Sequence, residues 1–310
     1  MAGVLRDAQG KVLLAQRPAG KHLEGYWEFP GGKLEPNEQP QHALARELHE
    51  ELGIHIEAAG GTPLIRVPWR YGERDLLLDA WQYTHWTGIP VSLEGQALQW
   101  QLPSQVDPAT LAPADRPILQ ALRLPSIYAI TPAHVPPDHA EQWYERLDAA
   151  LMHGARLIQL RLPLWSAAQV QSLAARLRAR ALECGACLLL NSDIDGARDL
   201  GAGVGVHLKS AQLSAGVERP LPWTQVVGAS CHDASQLDRA AQLGADFATL
   251  SPVASTASHP DAASLGWSQF QDLAETAALP VYALGGMTPA QADQARNHSG
   301  QGTAGIGAFW

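Results

Sequence analysis

The sequence predicts two folds in series, an α+β unit over residues 1–124 and a (β/α)₈ barrel of TIM type over residues 125–310. Three observations carry this. A chain of 310 residues is long enough for about two domains. The apolar rhythm changes near Leu124–Ser126: strands and one long helix come irregularly before it, and strand and helix alternate after it. Hydrophobic residues make up 46% and charged ones 17%, which supplies two cores and argues against disorder.

Gly3–Leu5 and Lys11–Gln16 read as paired strands about an Asp7-Ala-Gln-Gly10 turn. A helix follows over Gln39–Leu52, with Leu44, Leu48 and Leu52 on one stripe and Gly53 as its C-cap. Strands are expected near Leu64–Trp69 and Leu76–His85. Prolines at 103, 108, 113 and 117 mark a loop that ends in a short helix, Pro117–Arg123. Beyond the boundary the predicted strands are Ile127–Ile130, Leu157–Leu160, Cys187–Leu190, Val204–Leu208, Gln225–Ala229, Phe247–Leu250, Val281–Leu284 and Gly305–Ala308. Helical stretches Asp138–Met152, Ala167–Leu182, Ser235–Leu243, Trp267–Ala277 and Pro289–Asn297 fill most gaps. Eight strands linked in this way close a barrel with its site at the C-terminal strand ends. The start at Met1-Ala-Gly3 leaves the first strand short, and the end at Trp310 leaves out the last barrel helix.

Lys plus Arg number 22 against 31 Asp plus Glu, a net charge of −9, which disfavours a duplex nucleic-acid partner held by a basic face. No apolar run reaches the roughly 18 residues of a membrane span, and no signal peptide is evident, so a cytoplasmic chain without a membrane partner is expected. Three cysteines cannot build a disulfide framework. Cys184 and Cys187 have C-x-x-C spacing but stand at a helix-to-strand junction, and they read as buried thiols.

On the predicted helix Glu47, Glu50 and Glu51 occupy positions i, i+3 and i+4 and share a face. Three like charges so close need an offset. A hard divalent cation that takes carboxylate oxygens would supply it; the alternative is a solvated acidic face paired to Arg46. The spacing G-x5-E-x7-R-E-U-x-E-E-x-G-U, with U aliphatic, is met at every fixed position from Gly32 to Ile54. This segment resembles the Nudix box. The resemblance implies an α+β Nudix sandwich and Mg²⁺- or Mn²⁺-dependent hydrolysis of a nucleoside diphosphate linked to another moiety. It further implies Glu47, Glu50, Glu51 and the Gly31 carbonyl as metal ligands, and Arg46 as the residue that orients the acids. Glu47 and Glu94 are both candidates for the base that takes the proton of water.

Gln16-Arg17-Pro18 and Gly25-Tyr-Trp-Glu28-Phe29-Pro30-Gly31-Gly32-Lys33 resemble the MutT branch of that family. Its members convert 8-oxo-dGTP to 8-oxo-dGMP and pyrophosphate, which clears the nucleotide pool for DNA replication and repair. By this resemblance Arg17 meets the phosphates of a nucleoside triphosphate. His22, Glu28, Phe29, Pro30 and Gly31 line the nucleotide pocket, and Arg74 and Asp115 lie in matching elements. One position departs, because the branch usually has Asn where Asp115 stands. An Asn amide donates to the purine O6 and accepts from the N7–H that only the oxidised base carries. An ionised Asp only accepts, whereas burial that keeps it protonated restores the pair. Another nucleotide, such as ADP-ribose, is the alternative substrate.

Residues 126–310 resemble thiamine phosphate synthase and the related thiazole tautomerase. The matching segments include Tyr128-Ala-Ile130-Thr131, Ile158-Gln159-Leu160-Arg161, Leu190-Asn191, Gly205-Val206-His207-Leu208, Gly228-Ala229-Ser230-Cys231-His232, Ser251-Pro252-Val253 and Ala283-Leu284-Gly285-Gly286-Met287. The resemblance implies a phosphorylated thiazole-like ligand near Arg161, with Gly285 and Gly286 in a phosphate cradle. His232 stands where the tautomerase has a functional His, an acid or base by resemblance and a structural histidine otherwise. Several synthase residues are absent: Pro163 replaces a Lys, Ser192 an Asp, Gln212 an acidic metal ligand, and His259 the Lys of the pyrophosphate loop. Without both carboxylates a pyrophosphate leaving group loses its cation, so the expectation is a degenerate or ligand-binding barrel.

Overall fold

Strand β1 (Ala2–Leu5) is buried along its whole length, so it needs pairing and cover that a lone hairpin does not provide. In the computed structural model, which describes residues 1–214, 216–255 and 263–310, β1 runs parallel to β5 (Arg74–Tyr83). The expected hairpin with β2 (Val12–Gln16) reduces to its turn. Asp7 N–H donates to Lys11 O at 2.9 Å and one bridge joins Arg6 to Val12. Strand β2 pairs instead with two short strands, β3 (Trp27–Glu28) and β6 (Leu98–Gln101), both antiparallel. The other sheet is completed by β4 (Thr62–Tyr71), antiparallel to β5, with Tyr71 facing Arg74 across the tip. Helix α1 (Pro40–Leu52) ends at Gly53, left-handed at φ 68°, whose N–H returns to His49 O. Its buried Leu44, Leu48 and Leu52 pack with Leu5, Leu13, Ile54 and Tyr83, and that core holds the acidic flank of the helix in place. Helix α2 (Arg116–Arg123) closes this unit, which spans Met1–Arg123.

The second unit spans Leu124–Trp310. Eight parallel strands close a barrel: β7 (Ile127–Ile130), β8 (Leu157–Leu160), β9 (Cys187–Asn191), β10 (Val204–Leu208), β11 (Val227–Cys231), β12 (Phe247–Leu250), β13 (Val281–Leu284) and β14 (Gly302–Gly305). Between them lie α3 (Ala140–Met152), α4 (Ala167–Glu183), α5 (Ile194–Leu200), α6 (Ala234–Leu243), α7 (Gly266–Glu275) and α8 (Ala292–Asn297). Strand β11 begins two residues later than expected. Gln225 is taken up outside it, its side-chain amide donating to the carbonyls of Ala197, Gly201 and Val204. Strand β14 lies upstream of the expected Gly305–Ala308. Its Gly302 packs directly on the Ser126 backbone, a contact no side chain allows, and the Phe309 ring covers Gly305. Burial pushes the thiols of Cys187 and Cys231 up to about 12, so neither is a ready nucleophile. Among the described residues no helix is long and apolar enough to cross a membrane.

A buried ion pair staples the barrel wall. Arg219 Nη2 donates to Asp246 Oδ2 at 2.8 Å and to Gln225 O at 2.7 Å, and the same Asp246 oxygen accepts Val227 N–H at 2.7 Å. The two side chains are 9% and 2% exposed, and the guanidinium stacks 4.2 Å over Trp223. Asp246→Ala leaves that charge buried without its carboxylate. It is expected to cost about 3–5 kcal/mol in urea unfolding of the barrel, and a loss below about 1 kcal/mol would contradict this reading.

Candidate functional site

Glu51 lies beside the buried leucine stripe of α1, where its carboxylate cannot turn freely to water. Burial, followed by the charges of Glu94, Glu47 and Glu28, raises it to about 7, and the Gly31 N–H only partly offsets this. Glu47 Oε1 accepts Lys33 N–H at 3.2 Å and stands 3.1 Å from Arg46 Nη1. Glu50, more than half exposed, meets Arg46 at 3.3 Å. Arg46 is held in turn by Glu38, through Nε and Nη2 at 3.0 Å each, and by Lys33 O at 3.1 Å. This explains why the motif places an acid eight residues before the arginine, a role the sequence reading did not assign. Glu38 forks the guanidinium, and that hydrogen bond holds its own carboxyl below the usual range.

Glu94 comes from a loop without regular structure, yet its position is well tied. Val91 and Leu93 donate to the carbonyls of Leu52 and Glu51, both at 3.0 Å. Gln96 donates to Glu51 O at 3.3 Å while its own side-chain oxygen accepts Glu94 N–H at 3.1 Å and Ser92 Oγ at 2.8 Å. On the other side Lys21 pairs with Glu94 at 3.3 Å. Gly31, at φ 151°, passes against the Met1 backbone, and a methyl group on Gly32 would run into the Glu47 carboxylate. The backbone therefore lies directly against the acids.

This donor set is all hard oxygen, and the crowding at Glu51 is the repulsion that a divalent cation relieves, so Mg²⁺ or Mn²⁺ fits its chemistry. As the side chains stand, Arg46 draws Glu47 and Glu50 aside. Among the described residues no three His, Cys, Asp or Glu side chains converge closely enough to hold a cation.

A second group forms beside it. Arg17 pairs with Glu28 and its Nε donates to His22 O at 2.6 Å, so part of the guanidinium is already occupied. Burial raises the Glu28 carboxyl, and Arg17 counters that only in part. Phe29 is buried, and its N–H donates to Asp115 Oδ1 at 2.9 Å. Asp115 is 5% exposed, and burial pushes it up to about 8. Pro30 is buried and its carbonyl accepts Gly3 N–H at 2.7 Å, which ties the pocket segment to β1. His22 is exposed, as is Arg74, which sits opposite Tyr71 at the hairpin tip. Tyr71 is a residue the sequence did not single out. Its ring meets His22 edge-on at 5.2 Å, and its hydroxyl accepts Ala114 N–H at 3.2 Å. It thus joins the loop of His22 to the turn that carries Asp115.

Inside the barrel a polar chain, buried at Gln159, Tyr128 and His207, runs from Asn191 to Ser230. Gln159 donates to Asn191 Oδ1 at 2.9 Å and accepts from the Tyr128 hydroxyl at 3.2 Å. Since that hydroxyl has spent its one proton, His207 Nδ1, 3.0 Å away, is the donor to Tyr128, and His207 Nε2 accepts Ser230 Oγ–H at 2.9 Å. Burial drives His207 down to about 3, which keeps it neutral. The Arg161 N–H donates to Thr131 Oγ1 at 2.8 Å. His232 Nδ1 stands 2.9 Å from Ser251 O and so donates to that carbonyl. A Cβ on Gly285 would fall 2.9 Å from Pro252, and one on Gly286 2.9 Å from Ser255 O, so close packing already accounts for both glycines. His259 lies outside the described residues.

Tyr71→Phe removes one hydrogen bond, worth about 1 kcal/mol, from the wall that bears Asp115. It is expected to raise KM for a nucleotide by roughly five- to tenfold with kcat within about twofold. An unchanged KM would remove Tyr71 from the pocket.

The family described as NUDIX domain matches residues 1–121, and that described as Thiamine monophosphate synthase matches residues 127–309. Over 115 residues the chain is 44% identical to the CTP pyrophosphohydrolase of Escherichia coli (strain K12), covering 37% of this chain and 84% of that protein. It is 46% identical over 85 residues to the 8-oxo-dGTP diphosphatase of Proteus vulgaris, covering 27% of this chain and 74% of that one. In the second unit it is 37% identical over 147 residues to the thiamine-phosphate synthase of Laribacter hongkongensis (strain HLHK9), covering 47% of this chain and 69% of that one. The chain therefore belongs to the Nudix hydrolases through its N-terminal unit and to the thiamine monophosphate synthase family through its C-terminal unit.

Proposed function

We propose that the N-terminal unit hydrolyses a nucleoside triphosphate to its monophosphate and pyrophosphate, with 8-oxo-dGTP as the substrate. The observation that carries this is Asp115, a buried acid pushed up to about 8 whose Oδ1 faces Phe29 N–H. At neutral pH it is a carboxylic acid with one donor and one acceptor side by side. It donates to O6 of the oxidised base and accepts from N7–H; unoxidised guanine offers only a lone pair at N7 and is rejected.

Glu47, Glu50, Glu51 and the Gly31 carbonyl are the groups that would hold Mg²⁺ or Mn²⁺, which when bound offsets charge on the phosphoryl oxygens and makes water more acidic. The rest falls to the chain itself. Arg46, anchored by Glu38, orients Glu47 and Glu50. We take Glu94, held by one exposed ion pair to Lys21, as the general base over Glu47, whose Oε1 receives both Lys33 N–H and Arg46. Water adds to the β-phosphorus, its proton passes to Glu94, and the bond from that phosphorus to the α–β bridging oxygen breaks. Arg17 turns the edge left free by Glu28 and His22 toward the phosphates. We read the C-terminal unit as a module that binds a phosphorylated, thiazole-like small ligand.

A second reading has a specific support, the likeness to a CTP pyrophosphohydrolase. Cytosine presents N3 as acceptor beside its N4 amine, which complements the same acid, and the amine also suits an ionised Asp115. A panel of 8-oxo-dGTP, dGTP, CTP, dCTP and ADP-ribose separates these readings. At pH 7 the account expects kcat/KM for 8-oxo-dGTP to exceed that for dGTP by about 10² or more. Below about 8 folded Asp115 keeps its proton and discrimination is full; as pH rises through that value the donor is lost and discrimination falls. Asp115→Asn should flatten that pH dependence. Equal values for dGTP and its oxidised form would sink the oxidised-purine reading, and a preference for CTP or dCTP would establish the second.

A further inference from the structure

Membership of the thiamine monophosphate synthase family implies a divalent cation that would neutralise a pyrophosphate at the barrel mouth, and the residues present do not fit one. We propose that the barrel takes its ligand without a divalent cation, and that this ligand is a singly phosphorylated polar molecule and not a pyrophosphate ester. The proposal rests on reading this unit as a binding module and is independent of the substrate of the N-terminal unit.

A cation here would need carboxylates at the ends of β9 and β10. Ser192 follows β9 at φ 67°, and its hydroxyl is buried without a hydrogen-bond partner. Gln212 lies beyond β10, and its amide closes on the first loop, donating to Ser192 O at 3.2 Å while its oxygen accepts Lys209 N–H at 3.0 Å. The two positions thus touch each other as a neutral latch. The nearest aspartates do not take their place. Asp193 caps α5, accepting Gly196 N–H at 3.0 Å through Oδ1 and the Gln171 amide at 2.7 Å through Oδ2. Asp233 caps α6, accepting Gln236 N–H at 2.8 Å. Each is turned to a helix N-terminus, where its charge is already answered.

Among the described residues, neutral polar side chains stand on the inner side of β11 and β12. Thr249 pairs in register with Ser230 and lies two residues beyond Phe247, whose ring packs on Tyr128 and Tyr282 inside the barrel. Alternation along β12 puts Thr249 on that inner side, fully buried, and its hydroxyl has no hydrogen-bond partner. Two unpartnered hydroxyls, Ser192 and Thr249, beside Ser230 and Asn191 call for a polar ligand, since buried donors left unmade are costly. Arg161 follows directly on β8, its N–H on Thr131 Oγ1, and gives a single phosphate a guanidinium, whereas a pyrophosphate would also call for the cation that Ser192 and Gln212 do not hold.

The test uses the full chain with Glu47→Gln, Glu50→Gln and Glu51→Gln, so that the N-terminal acids hold no metal. Bound Mn²⁺ is read by electron paramagnetic resonance with and without inorganic pyrophosphate, and inorganic phosphate is titrated by calorimetry with and without Mg²⁺. No pyrophosphate-dependent Mn²⁺ site is expected, together with a saturable phosphate heat that ignores Mg²⁺ and vanishes in Arg161→Ala. Adding Ser192→Asp and Gln212→Asp should create a Mn²⁺–pyrophosphate site, tightening Mn²⁺ binding by about tenfold or more. A Mn²⁺–pyrophosphate site in the chain with Ser192 and Gln212 intact would overturn the proposal. So would a phosphate heat that is absent, requires Mg²⁺ or survives Arg161→Ala, or a folded double-aspartate variant that gains nothing. Because the N-terminal acids are silenced, none of these outcomes bears on nucleotide hydrolysis.

Discussion

The burial of Glu51 among other carboxylates is the constraint on which the N-terminal unit depends. The leucine stripe of α1 must be buried, and that fixes the rotation of the helix so that Glu51 lies at the edge of the core. Burial, and after it the charges of Glu94, Glu47 and Glu28, raise its carboxyl to about 7, and the protein adds neighbours that hold this arrangement. Arg46 and its Glu38 anchor restrain two of the acids, Gly31 and Gly32 let the backbone lie against them, and Gln96 ties the Glu94 loop to the end of the helix. Such a cluster is unfavourable in isolation and is understandable as one half of an interaction with cations and a polyphosphate.

The barrel mouth follows the opposite rule. A neutral chain of hydrogen bonds runs through Tyr128 and His207, the hydroxyls of Ser192 and Thr249 are left without partners, and nearby aspartates serve as helix caps. One unit concentrates acids on one helix face, whereas Ser192 and Gln212 of the other are neutral and touch each other. On the proposal made for the barrel, the placement of Gln212 against Ser192 is what separates its chemistry from that of the acidic helix face.

The parts legible in the sequence are those governed by short repeats. The acidic face of α1, its leucine stripe and its glycine cap follow from spacing on one helix, and the alternation of strands and helices announces the barrel. Pairing was not legible: β1 has the pattern of a strand, but alternation does not say that its partner lies some 78 residues away in β5. Strands β3 and β6 hold 2 and 4 residues, too few to show a period. Helix α5 escaped because its 7 residues include a glycine and three charged side chains, and tertiary packing with an Asp193 cap sustains it. In the site, Tyr71 acts through a hydrogen bond to Ala114, 43 residues away, for which no motif gives a signal. The protonation of Asp115 likewise depends on burial that only the folded pocket creates.

The central claim is that the acids of α1 exist to bind metal in company with a triphosphate. It is tested most directly by anomalous diffraction from crystals soaked with manganese and a non-hydrolysable nucleoside triphosphate. The account predicts manganese peaks within coordination distance of Glu47, Glu50 and Glu51 and of the phosphate oxygens. Ordered triphosphate in the pocket with those three side chains still turned to Arg46 or solvent, and no peak beside them, would contradict it.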